Sequence, residues 1–201
     1  MNKFFNKEII SQEFLNNLYK ESVTPDRFEL DIPFLGLNIS EIKVVIIAEH
    51  PYKNSNGLAF STHGKLNNTV KNIFLELKNC TGIENDNGDL TPWKYENILL
   101  FNATPVLNKN NPNPYFYESK FKLITQKIIS ELSKQCNSVI FVMWGNKIQK
   151  YSNLIDNSHF ILSSSHPSPH FANVSFFGNE HFLRINEILL KLKKPLINWK
   201  T

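Results

Sequence analysis

Residues 163–170, SSSHPSPH, set two histidines, His166 and His170, on a loop nearly free of apolar side chains and stiffened by two prolines. Hydroxyls and backbone N–H groups on a rigid loop suit gripping phosphate oxygens without reading sequence, so Ser165, Pro167, Ser168 and His170 are candidate anion contacts. A second cluster stands in AEHPYK, where Glu49, His50 and Tyr52 follow one another closely. An imidazole titrates near neutrality, which fits it for proton transfer or hydrogen-bond donation. A third candidate is Asn102 at the end of ILLFN, whose amide can both donate and accept.

The elements that must position these residues alternate in type. KVVIIAEHPY (43–52), NILLFNATPV (97–106), SVIFVMWG (138–145) and HFILSSS (159–165) are apolar, β-branched runs that read as buried strands with their exit loops. Between them, 66–80 and 117–135 have helical periodicity, a short helix starts at Asn146, and a closing helix is expected from about Phe177. Ile9, Ile10, Phe14, Leu15 and Leu18 place a further amphipathic helix over 7–21. Strands separated by helices imply parallel pairing, so the expected fold is an α/β, three-layer αβα sandwich around a four-stranded parallel sheet. Ligands of such sheets bind beyond the carboxyl ends of the strands. Glu49–Tyr52, Asn102–Thr104, Trp144–Asn146 and Ser163–His170 all fall there.

The 201 residues suit one domain (1–201), with no internal repeat or linker, and a composition 41% hydrophobic and 20% charged is that of a globular protein. No apolar run approaches a membrane span and the opening residues hold no secretory core, so a soluble, intracellular (cytoplasmic) protein is expected. Cys80 and Cys136 lack metal-ligand spacing and read as ordinary thiols. A net charge of +4 permits a polyanionic partner without requiring one.

Taken in order along 43–200, these strings resemble the uracil-DNA glycosylase superfamily, in its family 1 form. AEHPYK stands where that family has its water-activating loop. GLAFS (57–61) resembles the base-stacking segment, GDLTPW with ILLFNA the base-reading strand, VIFVMWG a core strand, HPSP with FFGNEHF the minor-groove loop and following helix, and PLINWK the carboxyl end. The resemblance implies a monomeric, monofunctional enzyme that flips a nucleotide out of DNA and hydrolyses its N-glycosidic bond, leaving an abasic site, with no cofactor or metal and no membrane. It gives His166 the role of donor to the charge developing on the departing base, Phe60 that of stacking platform, and Asn102 that of reader of the pyrimidine edge. Thr69 resembles a phosphate contact at a helix start, although an N-cap role for Thr69 or Asn68 fits as well.

Three departures stand against the pattern. Where the family reads Gly-Gln-Asp-Pro-Tyr-His, this chain reads Ala48-Glu49-His50-Pro51-Tyr52-Lys53, so the catalytic aspartate is a histidine. Plain loss of that carboxylate costs on the order of 10²- to 10⁴-fold in rate, about 3–5 kcal/mol. Neutral His50 as general base, Glu49 as replacement anion, and an inactive site all stay open. The loop after Tyr52, which guards position 5 of the base in the family, is about three residues short. The wedge position holds His170 where the family has leucine, and Val174 stands where an arginine is usual.

Changes at the activator, guard and wedge beside retained Phe60, Asn102 and His166 favour respecialisation. The expected substrate is therefore a modified pyrimidine, such as the C5-modified, glucosylated hydroxymethylcytosine of phage DNA, in antiphage defence. The alternatives are a uracil-DNA glycosylase of base-excision repair with an unusual water activator, and a non-catalytic DNA-binding or replication scaffold.

Overall fold

The computed structural model describes residues 31–34, 36–105 and 118–201. The helix expected over 7–21 lies outside them. In chain order the described elements are α1 (Asp31–Phe34), β1 (Val44–Ala48), α2 (Asn68–Thr81), α3 (Thr91–Tyr95), β2 (Ile98–Asn102), α4 (Glu118–Gln135), β3 (Ile140–Trp144), α5 (Asn146–Gln149), β4 (Phe160–Ser164), α6 (Ala172–Ser175) and α7 (His181–Lys191), with two short 3₁₀ turns.

All four strands pair in parallel, in the order β2-β1-β3-β4. Successive side chains of β1 point to opposite faces, as the strand period requires. Val45 and Ile47 enter a core with Leu99, Phe101, Phe141 and the Phe121, Ile128 and Leu132 face of α4. Val44, Ile46 and Ala48 enter another with Val70, Ile73 and Leu77 of α2 and Phe182, Ile185 and Leu189 of α7. Helices thus cover both faces, which is the three-layer sandwich the alternation of elements implied. Each buried aliphatic or aromatic side chain contributes roughly 1.5–3 kcal/mol.

Two features differ from the pattern read in sequence. The run HFILSSS does form β4, but as an edge strand whose Phe160 and Ile161 are 37% and 40% exposed. The closing helix begins at His181, four residues after Phe177, because Gly178 (φ +80°) and Glu180 (φ +56°) take left-handed conformations that cannot propagate a helix.

Register sets the site. Ala48 lies opposite Asn102, and Trp144 opposite Ser164. The ladder runs one step further through Ala103 N to Ala48 O (2.8 Å), Thr104 N to Glu49 O (2.8 Å) and Gly145 N to Ser164 O (2.9 Å). The four carboxyl ends therefore finish in one row and release their loops on the same side. Cys136 is buried with its thiol donating to Ile39 O, and burial pushes it up to about 11; Cys80 is also a free thiol. No helix among the described residues is long and apolar enough to cross a membrane.

The opposite end of the sheet is tied by buried His159. Its Nδ1 accepts from Val139 N (3.1 Å), and its Nε2 donates to Ser133 O at the end of α4 (2.8 Å). Replacing it by alanine strands a buried donor and acceptor, so His159→Ala is expected to lower stability by about 2–4 kcal/mol. Urea denaturation measures this; an unmoved midpoint would show that the imidazole ties nothing.

Candidate active site

Glu49 and His50 leave β1, Asn102 ends β2, Gly145 follows β3 and His166 follows β4. The row of strand ends thus brings together side chains up to 117 positions apart. Gly145 (φ +105°) permits the close approach: a Cβ there would stand 3.3 Å from His166 Cβ and 3.7 Å from Glu49 Oε1. The carboxylate of Glu49 and the imidazole of His166 therefore flank one glycine.

His166 is locked in one neutral form. Ser168 N–H lies 3.0 Å from Nδ1, and since an amide only donates, the ring proton sits on Nε2. Burial, assisted by nearby His50, lowers its pKa to about 4. Around neutral pH the ring is an uncharged donor. His50 has the opposite polarity: its Nδ1 lies 3.3 Å from Pro51 O, which can only accept, so Nε2 is the basic nitrogen. Burial lowers its pKa from the ordinary 6.5, while the Pro51 carbonyl and Glu49 oppose the shift. One imidazole thus keeps a proton on Nε2 and the other keeps a lone pair there.

Phe60 lies beneath His166, with ring centroids 5.7 Å apart, and is backed by Trp144 at 5.5 Å. Its φ of +61° is a strained conformation for an aromatic residue. Hydrogen bonds on either side enforce it: Ala59 N to Leu100 O, Ser61 N to Leu58 O, and Leu90 N to the Ser61 hydroxyl. Trp144 is oriented in turn by donating to His181 Nδ1 (3.0 Å). Asn102 Nδ2 makes a long bond to Gly57 O (3.4 Å), whereas its buried Oδ1 has no partner among the described residues.

Tyr52 is half-buried, edge-on to His50 at 6.5 Å, and donates its hydroxyl to Thr69 Oγ1 (2.9 Å). Its short loop is braced by Ser55 N to Tyr52 O, His63 N to Asn54 O, and Asn56 Nδ2 to Asp89 Oδ1. Thr69 itself is only 5% exposed, and the N-cap of α2 is Asn67, whose Oδ1 accepts from Val70 N (2.9 Å). Thr69 is thus largely buried and accepts from Tyr52, and the N-cap role expected at Thr69 or Asn68 belongs to Asn67.

The serines of the histidine loop divide similarly. Ser165 and Ser175 clasp reciprocally, each backbone N donating to the other's hydroxyl (2.9 and 3.1 Å), while Ser165 Oγ donates to Phe171 O (2.8 Å). The hydroxyl expected on a phosphate instead closes the loop. Pro167 is buried and its carbonyl accepts from Asn72 Nδ2 (2.8 Å). Ser168 is half-buried, its N–H committed to His166, and His170 is exposed beside Phe171 at the tip. Asn72, Gly145, Ser175 and His181 were not singled out by residue type; the one sequence signal was a polar residue beside the apolar face of α2.

A cleft of about 470 Å³ opens beside His166, lined by Glu49, Gly145, Lys147, Ser163, Phe171 and Val174. A second space of about 20 Å³ lies against Glu49, His50, Thr104 and Tyr151. One water occupies roughly 10–15 Å³ by the same measure. Lys147 pairs with Glu118 (3.0 Å) on its rim.

Comparison with known proteins places this geometry. The family model described as "Uracil DNA glycosylase superfamily" matches residues 36–190. The uracil-DNA glycosylase of Mycoplasmopsis pulmonis (strain UAB CTIP) is 40% identical over 204 residues, covering 98% of this chain and 91% of the relative. That of Chlamydia pneumoniae is 39% identical, covering 93% and 83%. The crystal structure of mimivirus uracil-DNA glycosylase superposes with a TM-score of 0.84 at 23% identity, covering all of this chain and 82% of that one, a likeness of fold. The chain belongs to the uracil DNA glycosylase superfamily, and with it to the monofunctional DNA glycosylases, hydrolases of N-glycosyl bonds.

Proposed function

We propose that this protein is a uracil-DNA glycosylase whose water is activated by a neutral histidine. The observation that carries the choice of base is the similarity, over nearly the whole chain, to relatives named uracil-DNA glycosylase, and Asn102 is compatible with it. A buried acceptor without a partner costs about 1–3 kcal/mol, and Oδ1 is positioned to recover it from the N3–H of a flipped uracil. With Nδ2 directed at Gly57 O, Oδ1 is left as the acceptor for the edge of the flipped base. Tyr52, held by Thr69 within a braced loop, guards position 5 against a substituent. The relatives at 39–40% identity carry the name of the uracil enzyme, and none of the observations supports a modified cytosine or an antiphage role.

The chemistry separates charge. The sugar gains oxocarbenium character as the pyrimidine leaves as an anion at O2. His166 donates Nε2–H to that oxygen, and being neutral it stabilises the charge without an ion pair already formed in the ground state. The space against Glu49 and His50 holds the nucleophilic water; His50 Nε2 takes its proton as it attacks C1′, and the Glu49 carboxylate supplies the negative charge that faces the sugar cation. Phe60 stacks on the extruded base. His170 and the 55%-exposed Phe171 at the loop tip enter the stack the nucleotide leaves, and the hydroxyl of half-buried Ser168 meets phosphate.

Base release from duplexes carrying uracil, thymine, cytosine, hydroxymethylcytosine or its glucosylated form, read by alkaline cleavage at the abasic site, tests the proposal. Release of uracil alone is expected. Release only from glucosylated hydroxymethylcytosine would replace uracil as substrate, and silence across all five would overturn the proposal.

The histidine roles carry their own measurements. His166→Ala is expected to lower kcat about 10²- to 10³-fold with DNA affinity little changed, the cost of one oxyanion donor. Because His50 must be neutral to act, kcat/KM is expected to be level near neutrality and to fall below pH 6.5 as the depressed imidazole gains its proton. His50→Ala lowers the rate and moves the acid limb toward about 4, where His166 titrates. An acid limb unmoved by that substitution would assign water activation elsewhere.

A further inference from the structure

The loops around the base pocket share one support. Thr69, Asn72 and Glu76 stand at i, i+3 and i+7 on α2, which places them in one stripe beside the apolar face of Val70, Ile73 and Leu77. Thr69 holds Tyr52, and Asn72 holds the Pro167 carbonyl. Glu76, 1% exposed, accepts from Gly178 N (2.7 Å) and Glu180 N (3.0 Å) at the amino end of α7. The first helical N–H, that of His181, is accepted by Asn179 Oδ1 (2.8 Å), while Glu76 holds the two N–H groups that lead into the helix and adds a favourable negative charge there.

The middle contact reaches the chemistry directly. The carbonyl that Asn72 grips and the N–H that points at His166 Nδ1 belong to a single peptide group, Pro167–Ser168. A trans peptide is planar with O and H on opposite sides, so fixing its oxygen from α2 fixes the direction of its hydrogen. A carbonyl that accepts a hydrogen bond also makes its own N–H a stronger donor. We propose that Asn72 is a positioning residue of the reaction, acting through the Pro167–Ser168 peptide to hold His166 in the Nε2–H tautomer that faces the departing base.

Asn72 is half-buried on a helix face, and its side-chain hydrogen bond goes to Pro167 O and not to the His166 ring. Without its donor the peptide is free to rotate, Nδ1 loses its partner, and the imidazole proton divides between the two nitrogens. Groups facing the ring, His50 and Glu49, are untouched by the change. The effect therefore reaches the rate only through the orientation of His166.

Two variants and two readouts test this. Asn72→Ala removes the side chain, and Asn72→Asp keeps its shape while removing the donor; should one fail to fold, the other carries both measurements. Each is expected to lower kcat about ten- to a hundredfold with KM changed less than about threefold, the scale of a misplaced reacting group. In a His166→Ala background the same substitution is expected to change kcat by less than about twofold, because the residue it acts through is gone. A cost that persists undiminished in that background would show a merely structural role and overturn the proposal. The inference rests on the glycosylase reading for its kinetic arm only. Imidazole nitrogen NMR of the free protein reads the tautomer without substrate: His166 is expected as Nε2–H in the parent and as a tautomer mixture in either variant, and an unchanged tautomer would refute the relay even if uracil is released.

Discussion

The amide of Ser168 lies 3.0 Å from Nδ1 of His166, and because an amide can only donate, the ring is left with its proton on Nε2. The proposed role of His166 calls for an uncharged ring, and much of the surrounding structure maintains one. Burial disfavours the imidazolium, Gly145 allows the ring to pack against the end of β3, and the Ser165–Ser175 clasp closes the loop that presents it. The sheet register then brings the end of β4, from which His166 follows, into one row with the ends that carry Glu49 and Asn102, and His166 packs on Phe60.

The contrast between the two histidines bears on the altered water-activating motif. An aspartate at position 50 would supply base and anion in one group. Here the two duties can be divided: His50 has its basic nitrogen defined by Pro51 O, and Glu49, one residue earlier, lies with its carboxylate near Gly145 and His166. The division has a physical merit, since an imidazole holds its proton affinity nearer neutrality than a carboxylate does.

Much of this was readable in the chain. The four continuous apolar, β-branched runs do form the strands of the sheet, three of them buried and β4 at an edge, and Glu49, His50, Asn102 and His166 lie at or just past their ends. What stayed hidden was how hydroxyls and amides are spent inside the fold. Ser165 carries a side chain suited to phosphate, and only tertiary structure shows its hydroxyl donating to Phe171 O, just as only tertiary structure shows Thr69 accepting from Tyr52. Asn72 and Glu76 look like ordinary polar positions of an amphipathic helix, and their partners lie 95 and 102 to 104 residues away. The start of α7 was misplaced because a left-handed Glu180 has no signature in residue type.

The position of β4 at the sheet margin affects how the protein ages under stress. β1 is flanked by strands on both sides, while β4 pairs only with β3 among the described residues and leaves Phe160 and Ile161 partly in solvent. Opening of a sheet begins at such margins, with a free energy well below that of complete unfolding. Since His166 hangs from β4 while Glu49 and His50 hang from β1, fraying would carry His166 away from the residues that leave β1. On heating, molecules would then lose the β4 margin first and could regain it without having exposed the inner strands.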